Sequence, residues 1–450
     1  MHTIVTLETP QLGNRSYLVH DGELALVVDP PRDLDRVEAA AEAAGVRIAA
    51  VAETHVHNDY VSGGRRLARR HRAEHLVAAA EALRFTRTGV GDGDKVQVGT
   101  LQVEVLGTPG HTPGHLAYLA TTDAGSTPAL FSGGSLLFGT VGRTDLAGPE
   151  LTERLAREQV RSARRLANLL PADTALLPTH GFGSFCASTT ADPGTGSTLG
   201  RESGRNPVLD GRDEDAVVRE LLAGLGPVPS YYTHMADLNR AQDLSPAPAP
   251  ARLDRGEVLA ALRRGVPVVD VRSREAFAGG HLEGATSIEY GAQCATYVGW
   301  LLPWGGPLVL VGDDERELEE AVVDLGRIGI DGIAGVSTAA TPATDAPRGY
   351  RRLPWAALAA ELHDGRRPLV VDVRTRAEYR DGHLDGSVNA PVHELPELLD
   401  ELPAGEAWVH CKSGYRAGIA ASLLHAAGRT VVHVDDSWER AAESGIPLKS

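Results

Sequence analysis

Cys411 opens the run Cys411-Lys412-Ser413-Gly414-Tyr415-Arg416. Before it, Glu406 to His410 reads as a buried strand, and after it Ala417 to Ala426 reads as a helix. A thiol between a strand end and a helix start faces converging backbone N–H groups and the positive end of the helix dipole. Lys412 and Arg416 add positive charge, and Gly414 permits a sharp turn. This setting favours a thiolate or persulfide anion, so Cys411 is expected to act as a sulfur nucleophile, with Arg416 holding an anionic donor. Lys412, Ser413, Gly414 and Tyr415 complete the expected substrate-binding loop. A cysteine that merely packs as a small apolar residue needs no Cys-x-x-Gly-x-Arg turn behind a strand.

A second chemistry is written in histidines. Thr54 to Asp59 reads THVHND and follows the apolar run Ile48 to Ala52. Two histidines spaced i, i+2 just past a strand end can converge on one metal. A second group, TPGHTPGH from Thr108 to His115, follows the apolar run Leu101 to Leu106. A third, Leu177 to Gly181, places His180 after another apolar run. One such histidine is unremarkable, whereas three groups at strand ends with Gly or Pro at the turns point to a metal site.

The elements that must position these residues fall into three segments. SPAPAPA from Ser245 to Ala251 reads as a semi-rigid linker, and STAATPATDAPRGYRR from Ser337 to Arg352 lacks apolar periodicity. They divide the chain into domains at roughly 1–242, 253–336 and 353–450. The later two repeat each other. VPVVDVRSREAFAGGHLEGATSI starts at Val266 and PLVVDVRTRAEYRDGHLDGSVNAPV at Pro368, each an apolar strand ending in Asp-Val-Arg, a short helix and Gly-His-Leu-x-Gly. The middle copy, however, follows its strand Pro307 to Val311 with Gly312-Asp313-Asp314-Glu315-Arg316. No cysteine stands there, and the acidic pair repels an anion. Cys294 precedes that strand and reads as packing, so the middle domain reads as a scaffold. The first segment alternates β-rich runs such as LALVVDPP and LQVEVLGTPG with helical ones, which predicts sheets covered by helices in an α/β fold.

A net charge of -16 argues against a nucleic-acid or membrane-surface partner. Three cysteines far apart form no disulfide framework, the start MHTIVTLETP has no apolar signal core, and no apolar run reaches membrane-spanning length. A cytoplasmic protein is the expectation.

Residues 353–450 resemble the rhodanese family, in which a six-residue loop goes with sulfur transfer. Asp372, Arg374, His383 and Gly386 match that family's first motif, and we read Asp372 and Arg374 as structural. Residues 1–190 resemble the metallo-β-lactamase superfamily through THVHNDYVSGG, TPGHTPGH, FSGGSLLFGTVGRTDL and PTHGFGSFC. Within it the look is that of the persulfide dioxygenases, with glyoxalase II as a cousin. STLGRESGRNPVL and the helix Glu214 to Gly224 look like the dioxygenase subgroup's extension. The resemblance implies an αββα fold followed by two parallel-sheet rhodanese domains, the first inactive. It also implies one metal ion, Fe(II) or Zn(II), on His55, His57 and His111, with Asp59 and His180 as weaker or supporting ligands. Two positions depart from the pattern: Tyr60 stands for a histidine, and Gly134 for an aspartate. The implied function is a persulfide dioxygenase-like metal domain coupled to a sulfurtransferase that carries sulfane sulfur on Cys411. The alternatives are a mononuclear zinc hydrolase of the thioester, glyoxalase II type, or a metal-free scaffold for the rhodanese domain. Implied partners are a low-molecular-weight thiol persulfide, thiosulfate or sulfite, and the relatives suggest a homodimer.

Overall fold

Alternating apolar residues in the N-terminal part build two six-stranded sheets whose inner faces meet. The computed structural model describes residues 2–122, 127–189, 194, 196–241, 248–338 and 348–449. Both expected linkers lie partly outside these residues. The first sheet runs, in spatial order, Thr3–Thr9, Asn14–His20, Leu24–Val28, Arg47–Ala52, Glu74–Ala78 and Thr88–Val90. The second runs Ser197–Thr198, Ala175–Pro178, Ala129–Gly133, Leu116–Thr122, Leu101–Gly107 and Lys95–Val98. Tyr17, Leu26, Ala50 and Leu76 of the first sheet pack on Val103, Tyr118 and Phe131 of the second.

Helices cover the outer faces. Leu34 and Val37 of helix Leu34–Ala44 and Leu67 of helix Gly64–His71 pack with Leu18, Val27 and Ile48. Across the other sheet, Ala156, Val160, Ala163 and Leu166 of helix Thr152–Leu169 pack with Leu119, Leu130 and Leu176. The result is the expected helix–sheet–sheet–helix layering. Strands Arg47–Ala52, Leu101–Gly107, Ala129–Gly133 and Ala175–Pro178 each end at one of the histidine- or glycine-bearing turns.

The two repeats fold alike. The middle one has strand order Ala251–Arg252, Ile333–Ser337, Leu308–Val311, Val268–Asp270, Thr286–Ser287. The last has Arg351–Leu353, Val431–Val434, Ala407–His410, Leu369–Asp372, Val388–Asn389. All these pairings are parallel. Chain contacts group Met1–Pro246 with Gly326–Gly329 as one compact unit and Ala247–Leu325 with Ile330–Ser450 as a second. No helix among the described residues is long and apolar enough to cross a membrane.

Candidate functional site

The turns after the strands of the first unit bring their histidines together in a fully buried cluster. His55, His57, His111, His115 and His180 are each at most 1% exposed. Hydrogen-bond partners fix which ring nitrogens are left over. Thr54 donates its hydroxyl to Asp29, so that oxygen accepts from His55 Nδ1 (2.9 Å), and His55 Nε2 carries a lone pair. His180 Nδ1 faces Asn14 Oδ1 at 2.9 Å and Asp59 Oδ2 at 3.3 Å, both acceptors, so its Nε2 also carries a lone pair. These two lone-pair nitrogens lie 3.2 Å apart. Two acceptors at that distance repel unless a cation sits between them, and roughly 3.3 Å is the edge of a tetrahedron of nitrogens around zinc.

Further buried atoms lack partners and complete the argument: His57 Nδ1, His111 Nε2 and Asp59 Oδ1. His111 Nδ1 donates to the Arg143 carbonyl (2.7 Å), which orients Nε2 into the cluster. Burial first, then the other ring charges, hold His55 well below its ordinary value and lower His111 to about 3. Neutral imidazoles with free lone pairs suit a metal ion. His115 is different. Its Nε2 accepts the Gly134 N–H (2.9 Å) and its Nδ1 meets Thr108 Oγ1 (2.8 Å), so both nitrogens are in use.

His57 is held by Tyr60 and by two carboxylates, Asp29 and Glu53, that the sequence does not single out. Its Nε2 lies 3.2 Å from Asp29 Oδ1, 3.4 Å from Glu53 Oε2 and 3.0 Å from the Tyr60 hydroxyl. Burial opposes charge on this ring, yet Asp29 and then Glu53 outweigh it and raise His57 to about 10. Asp29 adopts a left-handed backbone (φ 51°) and also accepts from the Thr54 N–H at 2.7 Å. A lone carboxylate closing the apolar run LALVV ahead of Pro30-Pro31 is the signal that could have found it. Tyr60 thus serves as a hydrogen-bond partner of His57 and of the Asp29 carbonyl (3.1 Å).

Besides the group Asp29, Glu53, His57, the ligand atoms that lie within 4.8 Å of one another form two histidine-rich triads, His55, His57, His180 and His111, His180, Cys186. His180, expected in a supporting role, belongs to both. Cys186, which the sequence reading passed over, joins the second. A Cβ built at position 134 would lie 2.3 Å from His111 Cδ2, so a side chain there requires that ring to shift.

In the last repeat Cys411 follows strand Ala407–His410, and helix Tyr415–Ala426 begins two residues earlier than expected. Gly414 causes this: its φ of 88° turns the chain so that Tyr415 and Arg416 already lie in the first helical turn. Cys411 is buried, Lys412 and Ser413 are exposed. Arg416 is not a bare cation. Its two terminal nitrogens donate to both oxygens of Glu378 at 2.7 and 2.8 Å. Burial favours protonation of Glu378, but Arg416 overrides it and lowers the carboxyl to about 2.

The middle repeat buttresses this loop. Tyr415 donates its hydroxyl to the Glu289 carbonyl (3.0 Å), and Tyr297 packs on Tyr415 with ring centroids 5.8 Å apart. Arg274 donates to Asp435 (2.9 Å), the carboxylate beside Gly414. Arg374 donates to Asp372 at 2.6 Å and to the Gly382 carbonyl at 2.7 Å. Asp270 and Arg272 repeat that geometry with Gly280.

Residues 10–180 match the family model of the metallo-beta-lactamase superfamily, and residues 355–443 match that of the rhodanese-like domain. A hydroxyacylglutathione hydrolase of Methylococcus capsulatus is 30% identical over 265 residues, covering 53% of this chain and 97% of that protein. One from Synechococcus sp. is 37% identical over 164 residues, covering 35% of this chain and 60% of that protein. The crystal structure of a metallo-beta-lactamase from Staphylococcus aureus subsp. aureus COL is similar over 75% of this chain and 98% of its own, at 29% identity and a TM-score of 0.66. That of ETHE1 from Myxococcus xanthus covers 53% of this chain and 98% of its own, at 25% identity and a TM-score of 0.46. With a buried histidine cluster at the strand ends of a two-sheet sandwich and a cysteine loop in its last repeat, the chain belongs to the metallo-β-lactamase superfamily, glyoxalase II-like, and carries a C-terminal rhodanese-like domain.

Proposed function

We propose that the chain is an enzyme of thiol-bound sulfur metabolism, in which Cys411 carries sulfane sulfur and the N-terminal domain acts on a low-molecular-weight thiol persulfide. The observation that carries the transfer half is the buried Cys411 at the N-terminus of helix Tyr415–Ala426, beside the Arg416–Glu378 pair. Helix-end N–H groups stabilise an anionic sulfur there. In the first half-reaction the Cys411 thiolate attacks the sulfane sulfur of thiosulfate. The sulfur–sulfur bond of the donor breaks and sulfite leaves with its electron pair. In the second, a nucleophile takes the outer sulfur and the thiolate returns.

For the N-terminal half, the facing lone pairs of His55 and His180 and the unpartnered nitrogens of His57 and His111 fit one metal ion, Fe(II) or Zn(II). A bound ion supplies Lewis-acid chemistry, and iron adds redox chemistry. Asp29 and Glu53 hold His57, Arg143 holds His111, and Asn14 with Asp59 holds His180. A cleft lined by Arg65, Phe85, Leu238 and Asn239 reaches His55 and His57 and gives a thiol-linked substrate a route in. One observation favours a second reading. Gly134, against the His111 ring, supplies no carboxylate to the cluster, so the site is richer in histidine than in carboxylate. That donor set suits zinc, and with the likeness to hydroxyacylglutathione hydrolases it supports hydrolysis of a thioester.

Metal analysis of anaerobically purified protein, with oxygen uptake on a thiol persulfide and thiosulfate-to-cyanide transfer, tests the proposal. Iron with oxygen consumed stoichiometrically is expected. Bound zinc with thioester hydrolysis and no oxygen uptake hands the N-terminal domain to the second reading. Absence of sulfur transfer sinks the role of Cys411.

A further inference from the structure

Cys186 is fully buried, and its sulfur lies within 4.8 Å of ligand nitrogens of both His111 and His180. A buried cysteine alone means little, since cysteines pack well. Here two independent orphans lie in the same cluster. His111 Nε2 and Asp59 Oδ1 are buried with no partner. Cys186 Sγ makes a weak contact with the Tyr232 hydroxyl at 3.7 Å.

The backbone holds this thiol in register with the histidines. The Arg143 carbonyl accepts from His111 Nδ1 at 2.7 Å, while the Arg143 N–H donates to the Cys186 carbonyl at 2.8 Å. One peptide neighbourhood therefore positions both His111 and Cys186. The Arg143 guanidinium adds a bond to the Phe185 carbonyl at 3.0 Å, and Ser184 accepts the Cys186 N–H at 3.1 Å. Gly134 and Gly142 lie against the His111 ring, where an added Cβ would come within 2.3 Å and 2.8 Å of it.

We propose that Cys186 is a thiolate ligand of the histidine cluster's same single divalent ion, sharing it with His111 and His180. This rests on the reading that the histidine cluster binds metal. On binding, the Sγ–H bond breaks, sulfur keeps the electron pair and bonds the ion, and the proton leaves to the solvent. Donors around a tetrahedral ion sit roughly 3.3–3.7 Å apart, so the triad closes with shifts on the order of 1 Å. A mixed nitrogen–sulfur set selects borderline-soft ions, Zn(II), Co(II) or Fe(II), over magnesium or calcium.

The test loads the full chain with Co(II) and reads the ultraviolet sulfur-to-cobalt charge-transfer band together with cobalt content. The band is expected in the wild type and in Cys411→Ser. In Cys186→Ser it is expected to be absent, with cobalt affinity at least about 100-fold weaker. Should Cys186→Ser fail to fold, zinc-edge X-ray absorption on Zn(II)-loaded Cys294→Ser/Cys411→Ser, in which Cys186 is the last thiol, reads the same bond. A sulfur scatterer at about 2.3 Å is expected. Metal bound stoichiometrically without the band or the sulfur scatterer overturns the Cys186 assignment and leaves the metal site standing. No metal bound at all overturns both.

Discussion

The two repeats share strand order, a buried Asp–Arg pair and a helix that follows the central strand of each sheet, yet they differ in the turn that leads into that helix. In the last repeat the turn after strand Ala407–His410 places Cys411 first, and Gly414 at φ 88° opens the turn towards the helix N-terminus. In the middle repeat Gly312 occupies the place of Cys411, directly after strand Leu308–Val311, and helix Glu315–Arg327 begins one residue sooner. Asp314 then accepts from the Arg316 N–H at 2.7 Å and the Glu317 N–H at 3.3 Å. The protein's own carboxylate fills the seat that an anionic sulfur donor would need. The fold is shared while the cysteine is absent from one turn, and the middle repeat contacts its neighbour's loop through Glu289, Tyr297 and Arg274.

The harshest break of the comparison is Cys411→Ser. Serine keeps the volume and removes the sulfur nucleophile, so thiosulfate-to-cyanide transfer should fall by at least on the order of 1000-fold with an unchanged circular dichroism spectrum. Retained activity would transfer the role to Cys294. That is disfavoured because Cys294 is buried, with its thiol pushed well up by desolvation.

Next in size is Gly414→Ala. The substitution is strained by the left-handed backbone, and its Cβ would lie 1.9 Å from Asp435 Oδ1. A loss of about 1–3 kcal/mol in urea unfolding is expected, with most of the transferase activity. Gly312→Ala tests the silent turn. Its Cβ would meet Val271 and Leu318 at 3.1–3.3 Å, tight but apolar and without backbone strain. Its cost should be smaller and activity should persist. Equal costs would erase the distinction drawn between the turns.

Much of this was legible beforehand. The repeat, the missing cysteine and the three histidine turns stand in the sequence, because strand ends with Gly and Pro leave local signatures. What stayed hidden depends on contacts between distant segments. The pairing of Arg416 with Glu378 joins residues 38 apart, and Asp29 reaches His57 across 28 positions. Cys186 approaches His111 through a turn with no regular periodicity. The sequence also reads Gly134 as a lost ligand, whereas the packing of the His111 ring against it makes any side chain there a clash. An aspartate at that position would require the His111 ring to shift.

A milder change sharpens the active turn. Glu378→Gln keeps the hydrogen bonds that cap helix Arg376–Asp381, since glutamine also serves in a capping box. It removes the charge that neutralises Arg416. The freed guanidinium charge should lower the thiosulfate KM several-fold, roughly 3–10-fold. In the wild type the carboxyl is depressed to about 2. Its stabilising contribution is therefore present above the unfolded carboxyl value of about 4.3 and is lost as pH falls through about 2. Acid unfolding of the wild type and the Gln variant should differ above that window and converge at its lower end. An unchanged KM would mean that Arg416 does not face the donor.

The smallest effect is expected at Asp314, and it probes the comparison from the silent side. Asp314→Ala removes the cap of helix Glu315–Arg327 and leaves the Arg316 and Glu317 N–H groups without their carboxylate. Loss of such a cap costs about 1 kcal/mol. Asp313 and Glu315 stay beside the turn, so net charge there remains negative. The vacated helix end should nevertheless accept an external anion weakly. Adding sulfate at constant ionic strength should therefore raise the melting temperature of Asp314→Ala more than that of the wild type, and recover part of the lost stability. No transferase activity should appear, because Gly312 offers no sulfur. If sulfate stabilises both proteins equally, the Asp314 carboxylate is not what closes the middle turn to anions, and the loss of function must be assigned to the missing cysteine and the shorter turn alone.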